Sequence, residues 1–182
     1  AAYFGVMLAG GIPGLAATPS NRVAEPAVYG ARVGAILANA EAFALYCAPE
    51  IALIFRGEGR ALLAGAKLFT PDDGEDAAAQ GAVAAPIRLP EPDETATIQY
   101  SSGSTGTPKG ILLSHHAMLN NIRAVRDGLN LQPSDVSVNW IPLYHDMGLI
   151  DAFLLPLLSG SPSVLIPTMD FMADPSIWLW AV

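Results

Sequence analysis

Residues 100–110 read "YSSGSTGTPKG". These eleven positions hold five Ser or Thr hydroxyls, three glycines and Lys109, while the rest of the chain has one other lysine, Lys67. In a turn of this composition successive backbone N–H groups can point at one place, and such concavities bind anions. Glycine permits backbone angles that other residues avoid and lets phosphate oxygens approach the main chain. Ser101, Ser102, Ser104, Thr105 and Thr107 add donors, and Lys109 adds positive charge. A polyphosphate is the ligand that suits this inventory. A Walker A loop is excluded, because it needs G-x-x-x-x-G-K-[ST], whereas Gly103 and Gly106 are three apart and Gly110 follows the lysine. No G-x-G-x-x-G occurs here, and "GSTG" is not the G-x-S-x-G elbow of a hydrolase. The bland alternative is a flexible Gly/Ser turn without a ligand.

A second group with chemistry is His145, in "IPLYHDMG" at residues 141–148. It follows a predicted strand, Val136 to Trp140, at the end where ligands of open α/β sheets bind. Asp146 is placed to orient a loop or the histidine, but adjacent side chains of an extended chain point to opposite faces, so no His145/Asp146 dyad is expected. His115 and His116 diverge at a helix start, with no carboxylate or cysteine at ligand spacing, so packing or capping is expected of them rather than metal binding. Tyr144 and Trp140 read as core or pocket wall.

Strands and helices must place these loops. Residues 1–9 read as a short helix leading to a strand near Ile12 to Thr18, then a Pro/Ser/Asn loop. Val33, Ile36, Leu37 and Ala40 recur at helical spacing between Tyr29 and Ala42, and "FALYC" (Phe43 to Cys47) is a compact buried strand. Helix then strand is the unit of a parallel sheet. Gly57, Gly59 and Gly65 weaken any long helix between Pro49 and Thr70, with "KLFT" as a further strand candidate. "TATIQY" (Thr95 to Tyr100) alternates like a strand and feeds the Gly/Ser segment. A strand from Ile111 to Leu113 follows, then a helix from His115 to Leu129 with Ser114 as N-cap and Met118, Ile122, Val125 and Leu129 on one face. Beyond Trp140 the pattern predicts a helix from Met147 to Leu158, a strand from Ser163 to Ile166 and a helix starting at Asp174-Pro175. That helix holds Trp178 and Trp180 and stops at Val182, which reads as truncation, and the lack of an initiating Met suggests that residue 1 is not the natural start.

Composition bounds the function. The chain has 182 residues, 52% hydrophobic and 14% charged, which suits one domain or a large part of one. A net charge of −8 argues against a nucleic-acid surface, which needs clustered Lys and Arg. Residues 71–94 supply −6 of it, with seven acids, one base and four prolines, and read as a solvated loop or insertion. The lone cysteine, Cys47, reads as a small buried hydrophobe; it forms no internal disulfide, and a reducing compartment, the cytoplasm, is the expected location. Prolines and glycines interrupt both apolar stretches, so no membrane span is expected.

The order of residues in "YSSGSTGTPKG" closely resembles the phosphate-binding signature of the adenylate-forming superfamily, which contains acyl-CoA synthetases, fatty acyl-AMP ligases, luciferases and the adenylation domains of peptide synthetases. "PLYHDMGL" at residues 142–149, with "SHH" at Ser114 to His116, is most similar to the fatty acyl-AMP ligase branch. The resemblance runs from Ile98 to Asp170. It is weaker from Tyr3 to Cys47, where "LAGGIPGLAATPS" is similar to an early family motif, and slight between Pro49 and Thr95.

The resemblance implies an α/β fold of layered sheets with flanking helices. Residues 1–70, an acidic stretch 71–94 and residues 95–182 would together form one incomplete N-terminal domain, the C-terminal domain being absent. It implies that a fatty acid carboxylate attacks the α-phosphate of ATP, giving an acyl-adenylate and pyrophosphate. Ser102, Gly103, Ser104, Thr105, Gly106 and Thr107 would hold the β- and γ-phosphates, and Lys109 would offset their charge. His145 would stand near the reacting carboxylate and α-phosphate, with Met147 and Gly148 beside the acyl channel. ATP and Mg²⁺ are the implied cofactors, the metal ligands lying beyond Val182. An acyl carrier protein or polyketide synthase is the implied acceptor; a long-chain acyl-CoA ligase and a non-catalytic acyl- or nucleotide-binding relative are the alternatives. The 182-residue chain by itself is expected to release no pyrophosphate from ATP and a fatty acid, which a pyrophosphate assay checks.

Overall fold

The computed structural model describes residues 2–19, 25–74, 87–101 and 108–182. Residues 102–107, and residues 75–86 of the acidic stretch, lie outside them. Two compact units emerge: Ala1–Leu89 with Tyr100–Ile111, and Pro90–Gln99 with Leu112–Val182. No helix of the described residues is long and apolar enough to cross a membrane.

A three-stranded sheet runs in the order β1 (Gly14–Leu15), β4 (Thr95–Ser101), β5 (Lys109–Ser114). Only residues 102–108 separate β4 from its neighbour β5. A parallel pair needs a crossover of a dozen or more residues, so these two strands are antiparallel, and Ser101 and Lys109 share one end of the pair. The alternating "TATIQY" was legible as β4, whereas β1 is far shorter than the strand expected from Ile12 to Thr18.

In the second unit β5 leads into helix α4 (His115–Leu129). The first N–H groups of a helix have no partner within it. Here Ser114 Oγ accepts from the Ala117 N–H at 3.1 Å, while the Glu94 and Pro92 carbonyls accept from His115 and His116 at 3.1 and 2.8 Å. The end of the acidic stretch is therefore a cap for this helix, not a purely solvated loop. Met118 and Ile122 are buried on the expected face, but Leu129 at its end is 67% exposed. Strands β6 (Ser137–Asn139) and β7 (Ser163–Leu165) pair in parallel, with Val138 opposite Val164. Between them the helix expected from Met147 to Leu158 is two pieces: a wide π-helical segment, Met147–Leu154, and an α-helical turn, Leu155–Ser159. The cause is Pro156. It has no N–H to give the Ala152 carbonyl, and its ring would collide with that carbonyl in a regular α-helix. The backbone widens instead, so that the Leu155 N–H bonds Ile150, and the Ser163 hydroxyl on β7 serves Ala152 at 3.1 Å. A short helix, Thr168–Ala173, was not foreseen from sequence. Its Phe171 stacks on Trp140 with centroids 3.9 Å apart. In the last helix (Ser176–Ala181) Trp178 Nε1 donates to the Val138 carbonyl at 3.1 Å.

The first unit opens with helix α1 (Ala2–Leu8) and is organised by helix α2 (Pro26–Asn39), which starts three residues before the expected Tyr29 because Pro suits the first turn. Strands β2 (Ala44–Tyr46) and β3 (Lys67–Phe69) pair in parallel, as helix-then-strand patterning implies. The glycines between them limit helix to Pro49–Ala52 followed by 3₁₀ turns at Leu53–Phe55 and Gly57–Leu63. Tyr29, Val33 and Leu37 of α2 meet Phe55, Leu63 and Ala66 in one apolar cluster. Cys47 is partly buried, and burial pushes its thiol up against the opposing pull of Arg56. At Gly34 a Cβ would stand 2.7 Å from the Leu62 carbonyl oxygen. Gly34→Ala sets about 1 kcal/mol of helix propensity against about 1–3 kcal/mol of overpacking onto rigid backbone. The overpacking wins, and the variant is expected to unfold at lower urea than the parent.

Candidate functional site

Lys109 is the first residue of β5, exposed, and belongs to the first unit. The strand that precedes the Gly/Ser segment is anchored near its end, where Tyr100 donates its hydroxyl to Asn39 Oδ1 at the close of α2, 2.9 Å away. Burial pushes the Tyr100 phenol up. Ser102, Gly103, Ser104, Thr105, Gly106 and Thr107 lie outside the described residues. Lys109 is thus an exposed cation at the loop end of an antiparallel pair.

His145, Met147 and Gly148 are brought together on one tight turn of the second unit, past the carboxyl end of β6. The His145 N–H bonds the Pro142 carbonyl at 3.0 Å, and Leu149 bonds the His145 carbonyl at 2.9 Å. Gly148 is buried in this turn, and any Cβ there would overlap the Pro142 carbonyl oxygen. The turn corrects the expectation that His145 and Asp146 diverge. Asp146 is helical, with φ −55 and ψ −49, not extended. Its carboxylate consequently lies 2.6 Å from His145 Nδ1 and accepts from the Met147 N–H at 2.8 Å. His116, expected to have no carboxylate at metal-ligand spacing, has Asp93 Oδ1 3.7 Å from its Nδ1, both side chains well exposed. Among the described residues no group of three or more His, Cys, Asp or Glu converges as a metal site.

A cleft of about 390 Å³ opens beside this turn, with Leu113, Met118 and Ile150 as apolar wall and Asn121, Asp146 and Asp151 as polar groups. Asp151 was passed over in the sequence. The signal was present, since it is the sole charge between Met147 and Met169. Burial, and secondarily the charge of Asp146, push its carboxyl above the ordinary 3.8.

The profile of the AMP-binding enzyme family matches residues 1–182. The chain belongs to that family. Its relatives include a protein named as an acyl-CoA synthetase in Caulobacter vibrioides, 45% identical over 89 residues, or 48% of this chain and 16% of that one. A medium-chain-fatty-acid–[acyl-carrier-protein] ligase of Teredinibacter turnerae is 38% identical over 49% of this chain and 14% of its own. Among solved structures, a fatty acyl-adenylate ligase from L. pneumophila, in complex with acyl adenylate and pyrophosphate, superimposes with a TM-score of 0.83 at 23% identity, over 99% of this chain and 30% of that one. A structure from work on fatty acyl-adenylate ligases of E. coli and L. pneumophila gives 0.83 at 28% identity, over 98% and 32%. The fold is thus the mixed α/β arrangement of the N-terminal domain of adenylate-forming enzymes, and the chain spans about a third of these neighbours.

The raised carboxyl of Asp151 has a consequence for stability. Its folded pKa lies above its unfolded value, so folding favours the protonated form, and stability falls as the pH rises from the ordinary 3.8 through the raised value. Asp151→Asn is expected to be more stable than the parent at neutral pH, the gap closing in acid, as urea denaturation at a series of pH values would show.

Proposed function

We propose that this chain supplies the triphosphate-binding and carboxylate-facing parts of an ATP-dependent ligase. The enzyme activates a fatty acid to an acyl-adenylate, releases pyrophosphate and passes the acyl group to an acyl carrier protein, as of a polyketide synthase. The observation that carries this reading is the presence of two elements in one chain of the AMP-binding family: Lys109 where β5 begins, and the His145 turn beyond the end of β6. The relatives named as fatty acid ligases acting on an acyl carrier protein support it.

ATP supplies the electrophilic α-phosphorus and the pyrophosphate leaving group. The protein's task is to hold two anions in line and to stabilise charge developing on phosphoryl oxygens. Lys109 and the donors of residues 102–107 hold the β- and γ-phosphates. His145 attends the carboxylate and α-phosphate, with Met147 and Gly148 beside the acyl chain. Mg²⁺ accompanies ATP in this reading, but no described residue is assigned to it. The setting is a reducing compartment that contains ATP, the cytoplasm.

A second reading, transfer to coenzyme A, is favoured by the Caulobacter relative named as an acyl-CoA synthetase. Product analysis with coenzyme A and with an acyl carrier protein separates the two. The test of the first step is hydroxamate formation from long-chain acids by the protein expressed from the full reading frame. Activity is expected in the parent. Lys109→Ala should remove one charge-assisted interaction and lower kcat/KM for ATP roughly ten- to a hundredfold, with an unchanged melting temperature. An inactive parent protein would overturn the reading.

A further inference from the structure

His145 Nδ1 lies 2.6 Å from Asp146 Oδ1. The Met147 N–H has two acceptors within range, Asp146 Oδ1 at 2.8 Å and His145 Nδ1 at 3.3 Å. One protonation state cannot satisfy all three contacts. If Nδ1 kept a lone pair to accept from Met147, it would face a carboxylate oxygen at 2.6 Å with no hydrogen between them. That separation belongs to charge-assisted N–H···O⁻ bonds, which cluster at about 2.7–2.9 Å, and not to two acceptors. The short distances therefore decide. They favour the proton on Nδ1, facing Asp146, with the Met147 N–H given to the same carboxylate. Because that N–H opens the π-helical segment, the carboxylate is held by the helix as well as by the ring.

We propose that Asp146 is a positioning residue for His145, keeping the imidazole proton on Nδ1 so that Nε2 is the nitrogen presented to the reacting groups. The catalytic part of this inference rests on the function proposed above, in which His145 attends the carboxylate and the α-phosphate. The tautomer is a property of the turn itself. With the ring neutral, Nε2 is an acceptor; with the ring charged, it donates to an anion. Without the carboxylate, the Met147 N–H has Nδ1 as its remaining acceptor, and the proton belongs on Nε2.

The experiment is ¹⁵N NMR of histidine-labelled full-length protein, the His145 signals being identified by their loss in His145→Gln. The parent is expected to show a protonated Nδ1, Asp146→Ala the opposite tautomer, and Asp146→Asn, whose side-chain oxygen still accepts, the parental one. A parent with its proton on Nε2, or an alanine variant with the parental pattern, overturns the proposal. Should the alanine variant fail to fold, the parent and the asparagine variant still decide. In turnover, Asp146→Ala should lower kcat for adenylate formation on the order of tenfold, the scale seen for residues that orient metal-bound histidines. Asp146→Asn should restore most of that loss, and the KM for ATP should stay unchanged in both. Equal losses in the two variants overturn the positioning role. If the parent forms no adenylate, the proposed function falls, while the tautomer measurement still decides the His145–Asp146 pair.

Discussion

The second unit is shaped by a missing hydrogen. Pro156 has no N–H to offer Ala152, and in a buried helix an unserved carbonyl is costly, on the order of 1–3 kcal/mol. The chain answers by winding wide from Met147 to Leu154 and by lending the Ser163 hydroxyl from β7. Pro156 and Ala152 are both fully buried, so water cannot supply the donor instead. A run that the periodicity reads as one straight helix thereby becomes two pieces tied to the neighbouring strand. Wide turns of this kind gather at functional sites, and this one starts two residues after His145.

Local patterning made the strands and helices around the two motifs legible. Alternation in "TATIQY" marked β4, and Ser114 announced the start of α4 because a hydroxyl there can serve an unpaired N–H. What stayed hidden depended on contacts distant in sequence. The helix Thr168–Ala173 has no long periodic signal, and its Phe171 is held by stacking on Trp140. Leu129 carries the right spacing for the buried face of α4 yet lies past the point where anything covers it.

The candidate site divides in the same way. Lys109 and His145 were visible as residue types in ordered strings, a cation among glycines and hydroxyls and an imidazole past a strand. The relation of His145 to Asp146 was misjudged because it turns on one backbone angle: an extended Asp146 would have turned its carboxylate away, whereas a helical one brings it onto the ring. Asp151 was visible as a lone acid in an apolar run, but its place in the cleft depends on the width of the helix that carries it.

The carbonyls of Glu94 and Pro92 accept from the amides of His115 and His116 respectively, and Ser114 takes that of Ala117. Helix N-termini commonly recruit phosphate through these same donors. Here they are already spoken for, so the positive end of α4 is closed to a nucleotide. An anion arriving here would find the first three amides of α4 occupied, whatever the charge of the helix end.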